Sequence, residues 1–259
     1  MSKIVFRVTN SGGVSYSNSF SVDFDANDSD YLEASSTSAL DTTDGSDAFS
    51  VSVWFKPESH RVSAIFSKGT NGAQFTTLYS GIIDFIFGNR AGVNIQCRSN
   101  TNLTSGQWNH IVGTYDGSAN TSGIKIYLNG NDTTTSLYKH ASFTTSTSTS
   151  NSTAFRIGGY ASNVLGGNQT EIDGRVDEFS YWGKSLSSSE VTEIYNSGTP
   201  ANLADHSAYS DLTSWYRMGD HASDDLTADS GQITDARGSN HLVPRNTTTA
   251  NKVEDTPGS

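Results

Sequence analysis

Cysteine, cationic side chains and long apolar runs are all scarce in this chain of 259 residues. The one cysteine, Cys97, has no partner for an intrachain disulfide. It sits in the alternating run Val93-Asn94-Ile95-Gln96-Cys97, where a buried strand position is expected. Lys and Arg number 16 against 27 Asp and Glu, for a net charge of −11. Nucleic-acid binding needs a basic footprint to displace phosphate counterions, so that class of partner is excluded. An anionic membrane surface repels such a chain as well. No stretch approaches the roughly 18 apolar residues of a membrane-crossing helix. The opening MSKIVFRVTN lacks a signal-peptide core, so a protein made in a cytoplasm is expected.

Hydrophobic residues make up 34% and charged residues 17%, below the roughly 45–50% and 25% of average globular domains. Ser, Thr, Asn and Gly fill the difference. The aromatic share of 10% and the recurring β-branched residues exclude a disordered chain. Such a composition suits strands with one buried face and one covered by hydroxyls and amides.

Strand signals dominate. Phe49-Ser50-Val51-Ser52-Val53-Trp54-Phe55-Lys56 alternates apolar and polar until Trp54, and Pro57 ends it. Ile124–Leu128 alternates cleanly into Asn129-Gly130, a hairpin dipeptide. Further strands are expected at Ile65–Lys68, Phe75–Tyr79, Ile82–Phe87, Val93–Arg98, Trp108–Tyr115, Ala154–Ile157 and Arg175–Trp182. Many short strands between Gly, Asn and Asp turns predict an all-β jelly-roll sandwich. One short surface helix is expected after Ser187-Ser188-Ser189-Glu190, a capping box whose hydroxyl and carboxylate serve each other's backbone N–H. Val191, Ile194 and Tyr195 form its apolar face, and Gly198 and Pro200 close it. The run Thr144–Thr153 reads as a solvated loop or edge strand. Residues 1–19 read as an arm or edge strand, 20–200 as the jelly roll, and 201–259 as a C-terminal extension.

Catalytic patterns are sparse. The six histidines have no zinc-like spacing, and His110 reads as a strand-packing residue. No Gly-x-Ser-x-Gly elbow and no Gly-rich phosphate loop occurs. The cluster Asp23, Asp25, Asp28 and Asp30 could surround Ca²⁺ with oxygen, although Asp and Asn also simply populate turns.

Four segments in order resemble the laminin-G-like, concanavalin A-like lectin/glucanase superfamily. They are Ser21–Asp25 with Asp30-Tyr31-Leu32, then Phe49–Pro57, then Trp108–Asp116 with Ile126–Gly130, and finally Gly174–Trp182 with Leu186–Asn196. The resemblance spans about residues 20–198 and implies a two-sheet antiparallel jelly roll. It also implies one structural Ca²⁺, which nominates Asp25, Asp28, Asp30 and Asp177, although Ala26 replaces the usual Gly. Retaining glycanases need two carboxyl groups roughly 5–5.5 Å apart. At the fourth and fifth positions after Glu171 stand Arg175 and Val176. Glu178 lies an odd seven residues away, on the other face of a regular strand. A non-enzyme is therefore expected.

The tail, with Leu212–Asp220, Asp229-Ser230-Gly231, Gly238–Leu242 and Asp255–Gly258, is similar to tails of laminin-G-like proteins of bacteriophages. That implies an oligomeric virion component, a capsid decoration or tail-associated protein, with capsid or tail proteins as partners and assembly in a host cytoplasm. The alternative is a calcium-dependent lectin-like module for host glycans, with Trp54, Tyr79, Tyr127 and Tyr160 as candidate sugar platforms. Core or edge packing is the competing role for those four.

Overall fold

The computed structural model describes residues 16–34, 40–69, 72–78, 80–89, 92–150, 153–160 and 171–259. Their strands assemble into two antiparallel sheets of eight strands each. In chain order the strands are β1 (Ser21–Phe24), β2 (Tyr31–Ala34), β3 (Phe49–Pro57), β4 (Ser63–Lys68), β5 (Ala73–Thr77), β6 (Ile83–Gly88), β7 (Asn94–Ser99) and β8 (Asn109–Tyr115). They continue as β9 (Ile124–Leu128), β10 (Asn131–Asp132), β11 (Thr134–Lys139), β12 (Phe155–Ile157), β13 (Gly174–Trp182), β14 (Leu212–Tyr216), β15 (Val243–Arg245) and β16 (Lys252–Val253). Sheet A runs β10-β9-β8-β3-β13-β1-β16, with β14 also on β13. Sheet B runs β11-β7-β6-β5-β4-β12-β2-β15. This is the all-β jelly roll that the alternating segments predict.

Period-two alternation explains the packing. In β3, Phe49, Val51, Val53 and Phe55 point between the sheets and join a core with Phe66, Phe75, Phe85 and Phe87 from sheet B. Ser50, Ser52, Trp54 and Lys56 point outward. The rings interlock edge to face: Phe66 lies 5.0 Å from Phe75, and Phe49 lies 4.9 Å from Phe87. Cys97 is buried in the same core, as expected of its strand.

A second apolar layer closes the outer face of sheet A. Helix α1 (Ser188–Tyr195) lays Val191 and Ile194 on Val112, Tyr127 and Trp182, joined by Leu203, Leu212 and Trp215. Both arms of the capping box are present: the Glu190 N–H donates to Ser187 Oγ (3.3 Å) and the Ser187 N–H donates to Glu190 Oε2 (2.7 Å). Asn196, in the left-handed region at φ 46°, terminates the helix ahead of Gly198. Ser187→Ala is expected to cost about 1 kcal/mol, read as a lower urea midpoint with an unchanged slope.

The tail is woven into the sandwich. β14 pairs with β13, β15 with β2 and β16 with β1. Tyr216, Met218, Leu226, Ile233 and Leu242 belong to the main core. The segment expected as a C-terminal extension thus supplies strands to both sheets.

Candidate functional site

Asp25 and Asp28 line a cleft of about 250 Å³ together with Asp23, Glu58, Asp173 and Asn251. Asp25 Oδ1 accepts from the Asn27 N–H (2.8 Å) and side-chain amide (2.9 Å), a turn-stabilising role. Asp30 is buried beside it, with Oδ2 accepting from Asn251 Nδ2 at 2.8 Å. Burial, the first cause, lifts its carboxyl above the ordinary range. Asp177 stands apart from these three. Register places Phe24 opposite Gly174 and Val22 opposite Val176, so Asp177 lies roughly 10 Å up the strand from the turn. One ion cannot be ligated by all four. Among the described residues no group of three or more acidic, His or Cys side chains is placed to hold a metal. Positive charge at this end of sheet A comes from Arg175, which pairs with Asp23 (3.3 Å), Glu58 (3.3 Å) and Asp255, and from Lys56 opposite it, which also pairs with Asp255 (2.7 Å). The residue at the position of a second glycanase carboxylate therefore serves as a counter-ion.

Asp177 belongs to a buried polar cluster on the outer face of sheet A. A bulge between Asp177 and Ser180 puts Glu178 at φ 47°. Asn18 Nδ2 donates to Asp177 Oδ2 (2.8 Å) and Tyr16 Oη donates to Glu178 Oε1 (3.2 Å). Trp215 Nε1 donates to Glu178 Oε2, and Arg217 Nε lies 3.5 Å from Oε1. Burial and the neighbouring carboxylate push Asp177 well up, and burial raises Glu178 to about 7. This cluster pins the segment from Tyr16 and the β14 strand to the sandwich.

Three of the four expected sugar platforms, Trp54, Tyr127 and Tyr160, are placed as packing residues. Trp54 is 3% exposed, with its ring 4.8 Å from His110 and 5.9 Å from Tyr195 under the helix. Tyr127 lies in the second apolar layer. Tyr160 is buried with its hydroxyl 2.8 Å from Thr76 Oγ1. Tyr79 lies outside the described residues. His110 is buried as expected, its Nε2 2.8 Å from Ser52 Oγ, and burial lowers it to about 3.

The outer face of sheet B has a different character. Cross-strand register aligns one row, Gln96-Ile86-Gln74-Ser67-Arg156-Glu33, across six strands. Beside it runs Thr135-Arg98-Asp84-Thr76. The centre of the face is buried, whereas Gln96 and Arg98 at one end and Arg156 at the other are partly exposed. Arg98 Nε donates to Asp84 Oδ1 at 2.7 Å and Nη2 to Oδ2 at 3.3 Å, a two-point pairing that holds the guanidinium plane.

The edge strand β11 completes the exposed end. Thr135 pairs with Arg98, but Tyr138, not Leu137, pairs with Gln96. Ser136, at φ 47°, lies within the extra residue's span. The bulge thereby brings the tyrosine onto the polar face. Leu137 (48%) and Tyr138 (45%) are the large hydrophobic residues left exposed among those described. In the sequence only a Leu-Tyr pair at the end of a Thr/Ser-rich run hints at this.

Among the described residues no helix is long and apolar enough to cross a membrane. No curated protein matches the sequence. A proposed carbohydrate-binding protein from Bacteroides ovatus has a similar structure, with a TM-score of 0.64 at 16% identity. The match covers 93% of this chain and 61% of that one, so the chain spans about three fifths of that protein. The NanB sialidase of Streptococcus pneumoniae matches with a TM-score of 0.50 at 16% identity, over 80% of this chain and 30% of that one. At these identities the likeness is one of fold. Residues 25–192 match the laminin-G-type family described as the concanavalin A-like lectin/glucanases superfamily, and with most of its length inside that match the chain belongs to this superfamily.

Proposed function

We propose that the protein is a non-catalytic carbohydrate-binding module and that its sugar site is the exposed end of the sheet B face. The observation that carries this is Tyr138, an exposed ring set by a bulge directly beside Gln96 and the Arg98–Asp84 pair. A pyranose has an apolar face that stacks on an aromatic ring and a rim of hydroxyls that needs fixed donors and acceptors. Tyr138 offers the ring, Gln96 an amide with both functions, and Arg98 remaining N–H groups on a side chain 43% exposed. The carbohydrate-binding description of the similar Bacteroides protein agrees with this reading. The opposite sheet offers no comparable surface at its centre, because helix α1 and the segment around Leu203 and Leu212 cover it.

The virion role implied by the tail motifs draws no support from the comparisons. Residues that carried that resemblance have roles within the fold: Trp215 bonds to Glu178, Tyr216 Oη donates to the Asn240 carbonyl (2.6 Å), and Asp255 pairs with Lys56 (2.7 Å).

The test is a glycan array with the wild-type chain and Tyr138→Ala. Specific saccharide signals are expected, with affinity lowered by about tenfold or more in the variant, the scale of a central aromatic contact. Leu137→Ala should leave binding within about twofold, because Leu137 is outside the paired row. Equal loss in both variants would instead indicate a general apolar patch.

A further inference from the structure

We infer that the saccharide taken by the sheet B face is uncharged, bearing neither sialic nor uronic acid carboxylate. This rests on the proposed sugar site and concerns the chemical class of its ligand. Three arginines stand on the face, Arg98 on β7, Arg156 on β12 and Arg245 on β15. Each is matched by a carboxylate. Arg98 holds Asp84 at 2.7 Å, Arg156 holds Glu33 at 2.7 Å, and Arg245 lies 3.5 Å from Glu33 and 2.5 Å from Asp229. Among the described residues, every arginine of the face is thus paired with a carboxylate.

An anionic sugar needs a cation whose charge is not already neutralised. Here its carboxylate would approach Arg98 while facing Asp84 on the same guanidinium, and like charges at that separation repel. Lys139, next to Tyr138 in β11, pairs with Ile95 and so alternates to the other face. The chain's net charge of −11 adds a further repulsive field. A neutral pyranose meets no such penalty. Its hydroxyls can donate to Gln96 and accept from Arg98 N–H groups that the carboxylate leaves unused.

The experiment uses the full chain on an array holding neutral saccharides alongside their sialylated and uronic acid counterparts. The strongest binder is then titrated by calorimetry at low and high salt. Neutral binders are expected, with sialylation of the same core weakening binding and with affinity changing less than about twofold between roughly 50 and 500 mM NaCl, because no charge pairing is screened. Preference for a carboxylated sugar that depends on Tyr138, with affinity falling about tenfold over that salt range, would overturn the inference and leave the sugar site standing. Absence of any saccharide signal, or signals untouched by Tyr138→Ala, would overturn both.

Discussion

Gly113→Ala is expected to destabilise the protein by about 1–3 kcal/mol, and Gly113→Val by more. Gly113 lies in β8 on the core side, between Ile111 and Tyr115, which both point into the same core. A Cβ there would sit 2.6 Å from Phe75 Cε1, 2.7 Å from Phe75 Cζ and 2.8 Å from Phe85 Cε1. Those rings have little room to yield. Phe75 is held between Phe66 at 5.0 Å and Phe85 at 4.9 Å, and Phe85 meets Phe49 at 6.0 Å. The absent side chain is therefore a notch that lets two aromatic rings of sheet B approach the backbone of sheet A. Urea denaturation should show a lower midpoint. Phe75→Leu, destabilising alone, should reduce the further cost of Gly113→Ala, because the shorter side chain vacates the notch. Strict additivity of the two changes would show that the rings are not what excludes the methyl.

The sandwich was legible because its central strands alternate. In Phe49–Lys56 and Ile124–Leu128 period two stands out, and the Ser187–Glu190 box marked the helix. The tail was not legible as strands, since β15 is three residues with a central proline and β16 is only two residues. No periodicity can show in so short a span. At the candidate sites, residue type misled where burial decided. Asp177 resembles a metal ligand in sequence, yet its carboxylate is buried under Asn18 beside Glu178. Trp54, out of phase with its strand, does leave the core, but the helix covers it. Tyr138 was missed because its side of the strand depends on one extra residue in β11. A one-residue shift reverses every side chain, and backbone geometry at Ser136 is not written in composition.

Opposite pH responses are expected from two buried groups on sheet A, and substituting each should expose one limb of the stability profile. Glu178 is raised from 4.5 to about 7, first by burial and against the pull of Arg217 and Trp215. Between those values the unfolded chain releases a proton that the folded chain keeps, so rising pH lowers stability. The penalty is complete above about 7 and is of order 3 kcal/mol. Asp177, also raised, acts in the same sense. His110 is lowered from 6.5 to about 3 by burial. Falling pH from 6.5 toward 3 charges the unfolded imidazole but not the folded one, so acid lowers stability by up to about 5 kcal/mol. Glu178→Gln should therefore gain on the wild type as pH rises from 4.5 to 7, and His110→Gln should gain as pH falls below 6.5. A constant offset from altered hydrogen bonding does not affect these slopes. Denaturant midpoints measured from pH 3 to pH 8 give the two difference curves. Parallel curves for the wild type and Glu178→Gln would mean that the carboxylate ionises in the fold as it does in water, with Arg217 offsetting its burial in full.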